Sequence, residues 1–316
     1  MRQPPYTRAK RPTPMRLTDR DIRILETIHA CDGLLSLRQI DQLFFSGLGR
    51  SQPRARMRLL FDNGYVAMPS PEEIHRIPRG ETVYWLDRKG AAVVAAQQGL
   101  ILKGFAWRKK PRYSLIAHDL AVTDFRLLVQ TAITTYSQLQ MGEWVSEGEF
   151  LAQPDTITYP THNGKTRKRQ VRPDGFFTLL PPHNTSPLAF LLEIDMSTED
   201  NPRFAREKVK PGVAYLKSQA YRQRFGLRYG RYLVVTTGQR RLANMKTQTV
   251  RSGGTGLFYF TTFAELTPET IFTDPIWHLA GKAQPQSIIP RRSSIPSPIH
   301  ASSQIILSAQ SQVSLG

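Results

Sequence analysis

Three carboxylates in the second half of the 316-residue chain stand where carboxylates are costly. Asp174 sits in Arg172-Pro173-Asp174-Gly175 at the entry to a strand-like run, and Glu193 and Asp195 interrupt the otherwise apolar Leu191-Leu192-Glu193-Ile194-Asp195. Side chains alternate along a strand, so Glu193 and Asp195 share one face. An ionised group inside an apolar strand must be paired or must hold a cation. Two or three such groups from adjacent strands form a hard oxygen set suited to Mg²⁺, an ion that can activate water and stabilise in-line displacement at phosphorus. Asp174 and Glu193 are therefore the candidate ligands, with Glu149 or Glu147 on the preceding strand as a further one. Asp174, Glu193 and Asp195 are the candidate catalytic acids, and Lys208 or Lys210 on the following helix could bring a cation to them. The opposite reading stays open at this point: the acids pair with Arg172 or Arg203 and do no chemistry.

These acids need a framework. Strand patterns fall at 143–151, 171–180, 188–196, 231–237 and 257–260, with a helix over 203–223 and a shorter one over 239–249. Strands on both sides of a helix imply an α/β sheet that is at least partly parallel. In front of them a long helix is predicted over 114–138, because Leu115, Val122, Phe125, Val129, Ala132 and Tyr136 recur at helical spacing. It joins two domains. His118 and Asp119 lie on it, and His118 is read as a structural histidine. The seven histidines show no metal-ligand spacing, and Gly253-Gly254-Thr255-Gly256 lacks the Lys-Ser/Thr of a phosphate-binding loop.

The N-terminal part has a different pattern. Thr18 and Asp21 form a helix start before Ile22, Leu25 and Ile28; Ser36 starts a second helix, 37–44; Ser51 starts a third, with Met57, Leu60 and Phe61 as its apolar face. Tyr65-Val66-Ala67 and Thr82-Val83-Tyr84-Trp85-Leu86 then read as two strands, followed by a helix over 88–98. Three helices and a hairpin make a winged helix-turn-helix. In that reading the third helix lies in the major groove of DNA, with Arg50, Gln52, Arg54, Arg56 and Arg58 facing the base edges and phosphates. Arg76 and Arg79 in the wing loop, and Lys165, Arg167, Lys168 and Arg169 at a second hairpin tip, would add phosphate contacts.

Charge agrees with that partner. Lys and Arg number 43 against 25 Asp and Glu, a formal charge of +18, which makes polyanions the default ligand and double-stranded DNA the first among them. No apolar stretch is long enough to span a bilayer, the basic start lacks the apolar core of a signal peptide, and Cys31 is the single cysteine. A cytoplasmic location with no membrane partner is expected. The division predicted is a flexible basic arm (1–16), the winged helix domain (17–100), a linking helix (101–140), an α/β domain (141–280) and a disordered tail (281–316).

Two resemblances sharpen this. Strand, strand, strand, helix, strand resembles the core of restriction-endonuclease-like enzymes, and Pro173-Asp174 followed by Glu193-x-Asp195 resembles their PD-(D/E)XK motif, with Asp195 where the lysine usually stands. The resemblance implies an α+β/α/β chain in which a winged helix precedes a nuclease-like domain, with Mg²⁺ as cofactor if that domain cuts DNA. Further, Leu17-Thr18-Asp19-Arg20-Asp21, Tyr84-Trp85-Leu86-Asp87-Arg88-Lys89-Gly90-Ala91, Ala117-His118-Asp119-Leu120-Ala121-Val122, Arg172-Pro173-Asp174-Gly175, Glu193-Ile194-Asp195-Met196-Ser197-Thr198-Glu199 and Asp274-Pro275-Ile276-Trp277 occur in the order seen in replication-relaxation proteins. That family implies a DNA-binding accessory protein for replication, relaxation or mobilisation of a plasmid or other mobile element, working with other plasmid replication or mobilisation proteins. A metal-dependent endonuclease is the alternative, and a transcriptional regulator a weaker one that leaves the carboxylate strand without a purpose.

Overall fold

The computed structural model describes residues 6–49, 51–136, 138–160, 164–181, 186–198 and 200–289. At the N-terminal end α1 (Asp19–Ala30) begins at a capping box in which the Thr18 hydroxyl accepts from the Asp21 N–H and the Asp21 carboxylate accepts from the Thr18 N–H. The strand β1 (Leu35–Ser36) leads into α2 (Leu37–Phe44), capped reciprocally by Ser36 and Gln39. α3 (Ser51–Asp62), β2 (Val66–Ala67), β3 (Val83–Leu86) and α4 (Arg88–Gln97) follow, and the strands form an antiparallel sheet in the order β1-β3-β2. Met57, Leu60 and Phe61 of α3 pack on Ile24, Leu25 and Ile28 of α1 and on Val66 and Leu86 of the hairpin, so the expected apolar face is the buried one. At Gly90 the first turn of α4 meets the chain before β2 so closely that a Cβ would lie 2.1 Å from the Tyr65 carbonyl oxygen.

The basic arm is held down. The Arg8 guanidinium pairs with Asp87, donates to the Val66 carbonyl and lies over the Phe61 ring; the Ala9 N–H donates to Asp62; Arg58 and Asn63 donate to the carbonyls of Thr7 and Thr13. A segment with prolines cannot satisfy its own backbone, and the acids at the end of α3 and before α4 supply partners instead. Residues 6–16 are thus ordered against α3, against the expectation of a flexible arm.

α5 (Ile116–Thr135) is shared by two cores. Its first turns place Ile116 and Leu120 with Leu34, Val83 and Trp85 of the N-terminal unit, and the rest places Val122, Phe125, Val129 and Ala132 against a large sheet. Arg38 of α2 holds Asp124 with both terminal nitrogens, at 3.0 and 2.8 Å, and Gln39 donates to the Leu120 carbonyl.

After α5 come β4 (Gln140–Ser146), α6 (Glu147–Ala152), the hairpin β5 (Asp155–Pro160) and β6 (Thr166–Val171), then β7 (Gly175–Leu180) and β8 (Leu188–Ile194). α7 (Asn201–Phe204) runs through a π-helical turn, Ala205–Val209, into α8 (Lys210–Lys217); α9 (Gln219–Phe225), β9 (Arg231–Thr236), α10 (Gln239–Arg251), β10 (Phe258–Thr262) and β11 (His278–Leu279) complete the order. The sheet runs β11-β10-β9-β8-β7-β4, with β8, β9 and β10 parallel and β4, β7 and β8 antiparallel. Along β8 the alternation is literal: Phe190 and Leu192 face α5, whereas Ala189 and Leu191 face the helices α8 to α10. The whole is a mixed α/β protein, and no helix among the described residues is long and apolar enough to cross a membrane.

Four local expectations change. The strand expected over 143–151 ends at Ser146, because Ser146 and Glu149 form a capping box that starts α6. The strand expected over 171–180 is two strands, broken where Pro173 has no N–H to donate and Asp174 N–H turns to the Leu192 carbonyl. The helix expected over 203–223 breaks at Ser218, the N-cap of α9. Residues 281–289, expected within a disordered tail, are packed: Ile288 and Ile289 are buried in the α5 core, and Trp277 and Gln286 exchange backbone hydrogen bonds. Residues 290–316 lie outside the described residues.

Arg56 now has a structural task. It pairs with fully buried Asp21, whose carboxyl burial alone would push up but which Arg56 and Thr18 hold below its usual value. Arg56→Ala is expected to cost about 3 kcal/mol in urea unfolding, the lower end for breaking a buried pair, because the guanidinium is a quarter exposed. The stabilisation is complete above the unfolded carboxyl value of about 3.9 and lost as pH falls through the lower folded value. Acid titration of Arg56→Ala should therefore show a flatter decline than wild type.

Candidate functional site

The break at Pro173 turns Asp174 inward at the mouth of β7, beside the end of β8. Asp174 and Glu193 are both buried, at 6% and 5% exposure. The Ile194 N–H donates to Asp174 Oδ2 at 2.6 Å, and His118 Nε2 from the first turn of α5 lies 3.1 Å from the same oxygen. Lys208 comes from the π-helical turn, a local widening that often marks functional positions. Its Nζ stands 2.5 Å from Glu193 Oε2 and donates to the Arg172 carbonyl at 3.1 Å. Two acids thus meet two cations from elements far apart in the chain.

Burial opposes every charge in this cluster, and the partners decide which survive. For Asp174 the Lys208 and His118 cations and the Ile194 N–H outweigh burial and hold the carboxyl below its usual value. For Glu193 burial wins, reinforced by the charge of Asp174, and its carboxyl is pushed up to about 8 against the pull of Lys208. Lys208 is held protonated by Glu193 and Asp174 in spite of its own burial. His118 is likewise opposed by burial, yet Asp174 and then Asp119 raise it to about 10. Behind it Arg108 and Arg112 each reach Asp119 at 2.9 Å, and Arg112 also pairs with Glu147.

The cluster opens on a cavity of about 520 Å³ whose wall includes Lys168, Arg169, Arg172 and Arg203 with Asp174, Glu193 and Lys208. An acidic pair beneath a basic rim suits a phosphate ester. Among the described residues no group of three His, Cys, Asp or Glu is placed to enclose a metal ion. Two buried carboxylates on an open cavity still fit Mg²⁺, which commonly takes one or two protein carboxylates and completes its shell with water and phosphate oxygens.

The other sequence candidates disperse. Asp195 is committed to Arg241, at 3.0 and 2.8 Å, and to the Thr236 hydroxyl at 2.6 Å, so its carboxylate is not free for the cluster. Glu149 serves the cap of α6 and lines a separate cavity with Glu143 and Arg224; its neighbour Glu147 lines the main cavity but is held by Arg112. Arg172 bonds to Gln170, and Arg203 stands on the cavity wall. On the second hairpin Arg169 pairs with Glu207, Arg167 lies 3.9 Å from it, Lys168 lines the cavity, and Lys165 is exposed. In the N-terminal unit Gln52 and Arg54 are exposed on the first turn of α3, whereas Arg56 and Arg58 turn to Asp21 and Asp62. Arg76 is exposed over the Tyr113 ring at 4.2 Å, Arg79 is exposed in the β2–β3 loop, and Arg50 lies outside the described residues. His118, read from the sequence as structural, is brought to Asp174 by the way α5 crosses the sheet, which no spacing along the chain signals.

A mixed α/β chain with a basic N-terminal unit and a buried acid pair under a basic rim is thereby defined. The replication-relaxation family model matches residues 25–227, from within α1 to just past α9, and the chain belongs to that family. No curated protein and no solved structure matches it.

The His118 to Asp174 contact can be read directly. In Asp174→Asn the titration midpoint of the His118 ring, followed by NMR, should fall by at least about one unit, the size of losing one close opposite charge. Asp195→Asn should leave it in place.

Proposed function

We propose that this protein binds duplex DNA in the replication, relaxation or mobilisation of a plasmid or other mobile element, using α1 to α3 and the β2–β3 hairpin as a winged helix-turn-helix. The carrying observation is the exposed first turn of α3, where Gln52 and Arg54 project beside the arm-covered half of the helix. The hairpin loop, with exposed His75, Arg76 and Arg79, supports this as a wing. Family membership supports the replication or relaxation role, with plasmid replication or mobilisation proteins as partners. Arginine there can bond guanine and glutamine adenine, while wing cations hold phosphates. Gln52→Ala with Arg54→Ala should weaken duplex affinity about tenfold in fluorescence anisotropy, and added salt should weaken wild type further. Unchanged affinity in that variant would remove α3 from the interface.

A second reading is favoured by the position of Lys208. The meander β4, β7, β8, followed by α7 and α8 crossing to β9, has the order of a PD-(D/E)XK nuclease, and Lys208 stands beside Glu193 where that motif's lysine is wanted. Asp174 and Glu193 would hold Mg²⁺, which when bound would activate water and neutralise charge on the phosphate. Lys208 would pair with Glu193 and offer a proton donor near the scissile oxygens; His118 would fix Asp174, and the rim arginines would hold the backbone. With supercoiled plasmid and Mg²⁺ or Mn²⁺, wild type should nick and the isosteric Asp174→Asn and Glu193→Gln should not. Nicking that survives both, or intact supercoils with wild type under conditions where it binds, would discard the nuclease reading and leave the binding one standing.

A further inference from the structure

From Lys208 to Ala264 the chain has 57 residues with eleven Lys or Arg and not one Asp or Glu. Part of that charge is spent inside the fold, on Glu193, Asp155 and Asp195. Another part is displayed around the turn between α9 and β9. Lys217, Arg222 and Arg228 are exposed there, and among the described residues none of the three has an acidic partner. At the tip Tyr229 is 86% exposed, the most exposed large apolar side chain described.

Tyr229 is not on a loose strand of chain. Its carbonyl accepts from the hydroxyl of fully buried Tyr221 at 3.0 Å. Gly226 closes α9 in the left-handed region at φ 66°, and at Gly230 a Cβ would stand 2.3 Å from the Tyr221 hydroxyl. The backbone on both sides is therefore specified so that the ring between them faces water. Packing gains nothing from that arrangement. An aromatic face flanked by cations that no carboxylate pairs with among the described residues matches one ligand chemistry well: unpaired bases stack on the ring while guanidinium and ammonium groups take the phosphates.

We propose that the 226–230 turn is a single-stranded nucleic acid site, with Tyr229 as the stacking platform and Lys217, Arg222 and Arg228 as phosphate contacts. It is a second nucleic-acid surface, distinct from α3. Parallel pairing sets Arg231 opposite Phe190 and Val234 opposite Glu193, so the turn lies at the end of the sheet away from the acid pair, about 10 Å or more along the strands. A strand opened near the cavity would have a basic surface to follow on the same helical layer.

The test uses the full chain and a fluorescein-labelled oligothymidylate about 20 nucleotides long, which has little self-structure. Tyr229→Ala should weaken its binding about tenfold, Tyr229→Phe should bind like wild type, and both should keep wild-type affinity for duplex. Arg222→Gln with Arg228→Gln should weaken binding and reduce the log–log salt slope by about 1.4, two single-strand phosphate contacts. The Gln52 and Arg54 variant should keep full affinity for the oligothymidylate, which separates this site from the α3 surface. Equal affinity of wild type and Tyr229→Ala, or no binding by wild type, overturns the proposal; since the Tyr229 ring touches little, misfolding does not explain a selective loss.

Discussion

Burying two carboxylates side by side is the constraint around which this molecule is arranged. An unpaired buried ion costs several kcal/mol even after relaxation, and two of like sign add their repulsion. The central sheet nevertheless carries Asp174 and Glu193 at adjacent strand ends. Neighbouring residues do not compensate them: the nearest acid, Asp195, is taken by Arg241, and nearby Arg172 turns to Gln170. The compensating cations come from α5 and from the π-helical turn before α8, so both elements must dock for the acids to be tolerated. A pair of acids that is expensive to bury, with a cavity left open above it, is better explained by a ligand than by stability. A well-packed apolar pair at the same strand ends would serve stability at least as well.

The same acids tie the two halves of the chain together. His118 touches Asp174 and is followed directly by Asp119, which Arg108 and Arg112 hold from the segment preceding α5. That segment also supplies Tyr113, on which Arg76 of the β2–β3 loop lies, and Lys110, 4.0 Å from Glu73 of the same loop. The path from that loop to the acid pair is thus a short series of charge and ring contacts. Arg38 and Gln39 make a second attachment to the middle of α5. A helix that lends one end to each of two cores is a wedge rather than a linker.

What the sequence made legible was periodicity, and what it concealed was pairing. The apolar stripes of α1, α3 and α5 and the alternation along β8 are visible without coordinates, and so is the oddity of Glu193 in an apolar run. Lys208 or Lys210 could be named as a source of the missing cation because both are lysines on the helix after the acids, although the reach of Lys208 depends on a π-helical turn that no spacing rule marks. His118 was passed over because its local partner, Asp119, seemed to account for it; its second contact depends on how α5 crosses the sheet. The β5–β6 hairpin was misplaced for another reason: 165–169 was read as its tip, whereas Thr166–Val171 is its second strand. Ile157 and Tyr159 alternate with threonines on one strand, but the other, Thr166 to Val171, is nearly all polar and charged and resembles a loop. The arm at 6–16 was misjudged because proline and arginine signal disorder only when no acids lie within reach.

The distribution of charge makes the same point about function. A count of +18 treats all cations as equal, yet Arg56 and Arg58, the two most regular members of the α3 helical pattern, are the ones turned inward to Asp21 and Asp62. Among the described residues the cations that no carboxylate takes include Arg54 on the first turn of α3, Arg79 in the β2–β3 loop, Lys168 at the cavity and the three around Tyr229. In the first 140 residues Asp21, Asp62, Glu81, Asp87, Asp119 and Asp124 are spent on arginines that build the fold. Between Lys208 and Ala264 there are no acids to spend, so cations there either satisfy the buried carboxylates of other elements or face solvent. That asymmetry, rather than the total, is what leaves the α/β unit with exposed cations that no acid of the same segment can take.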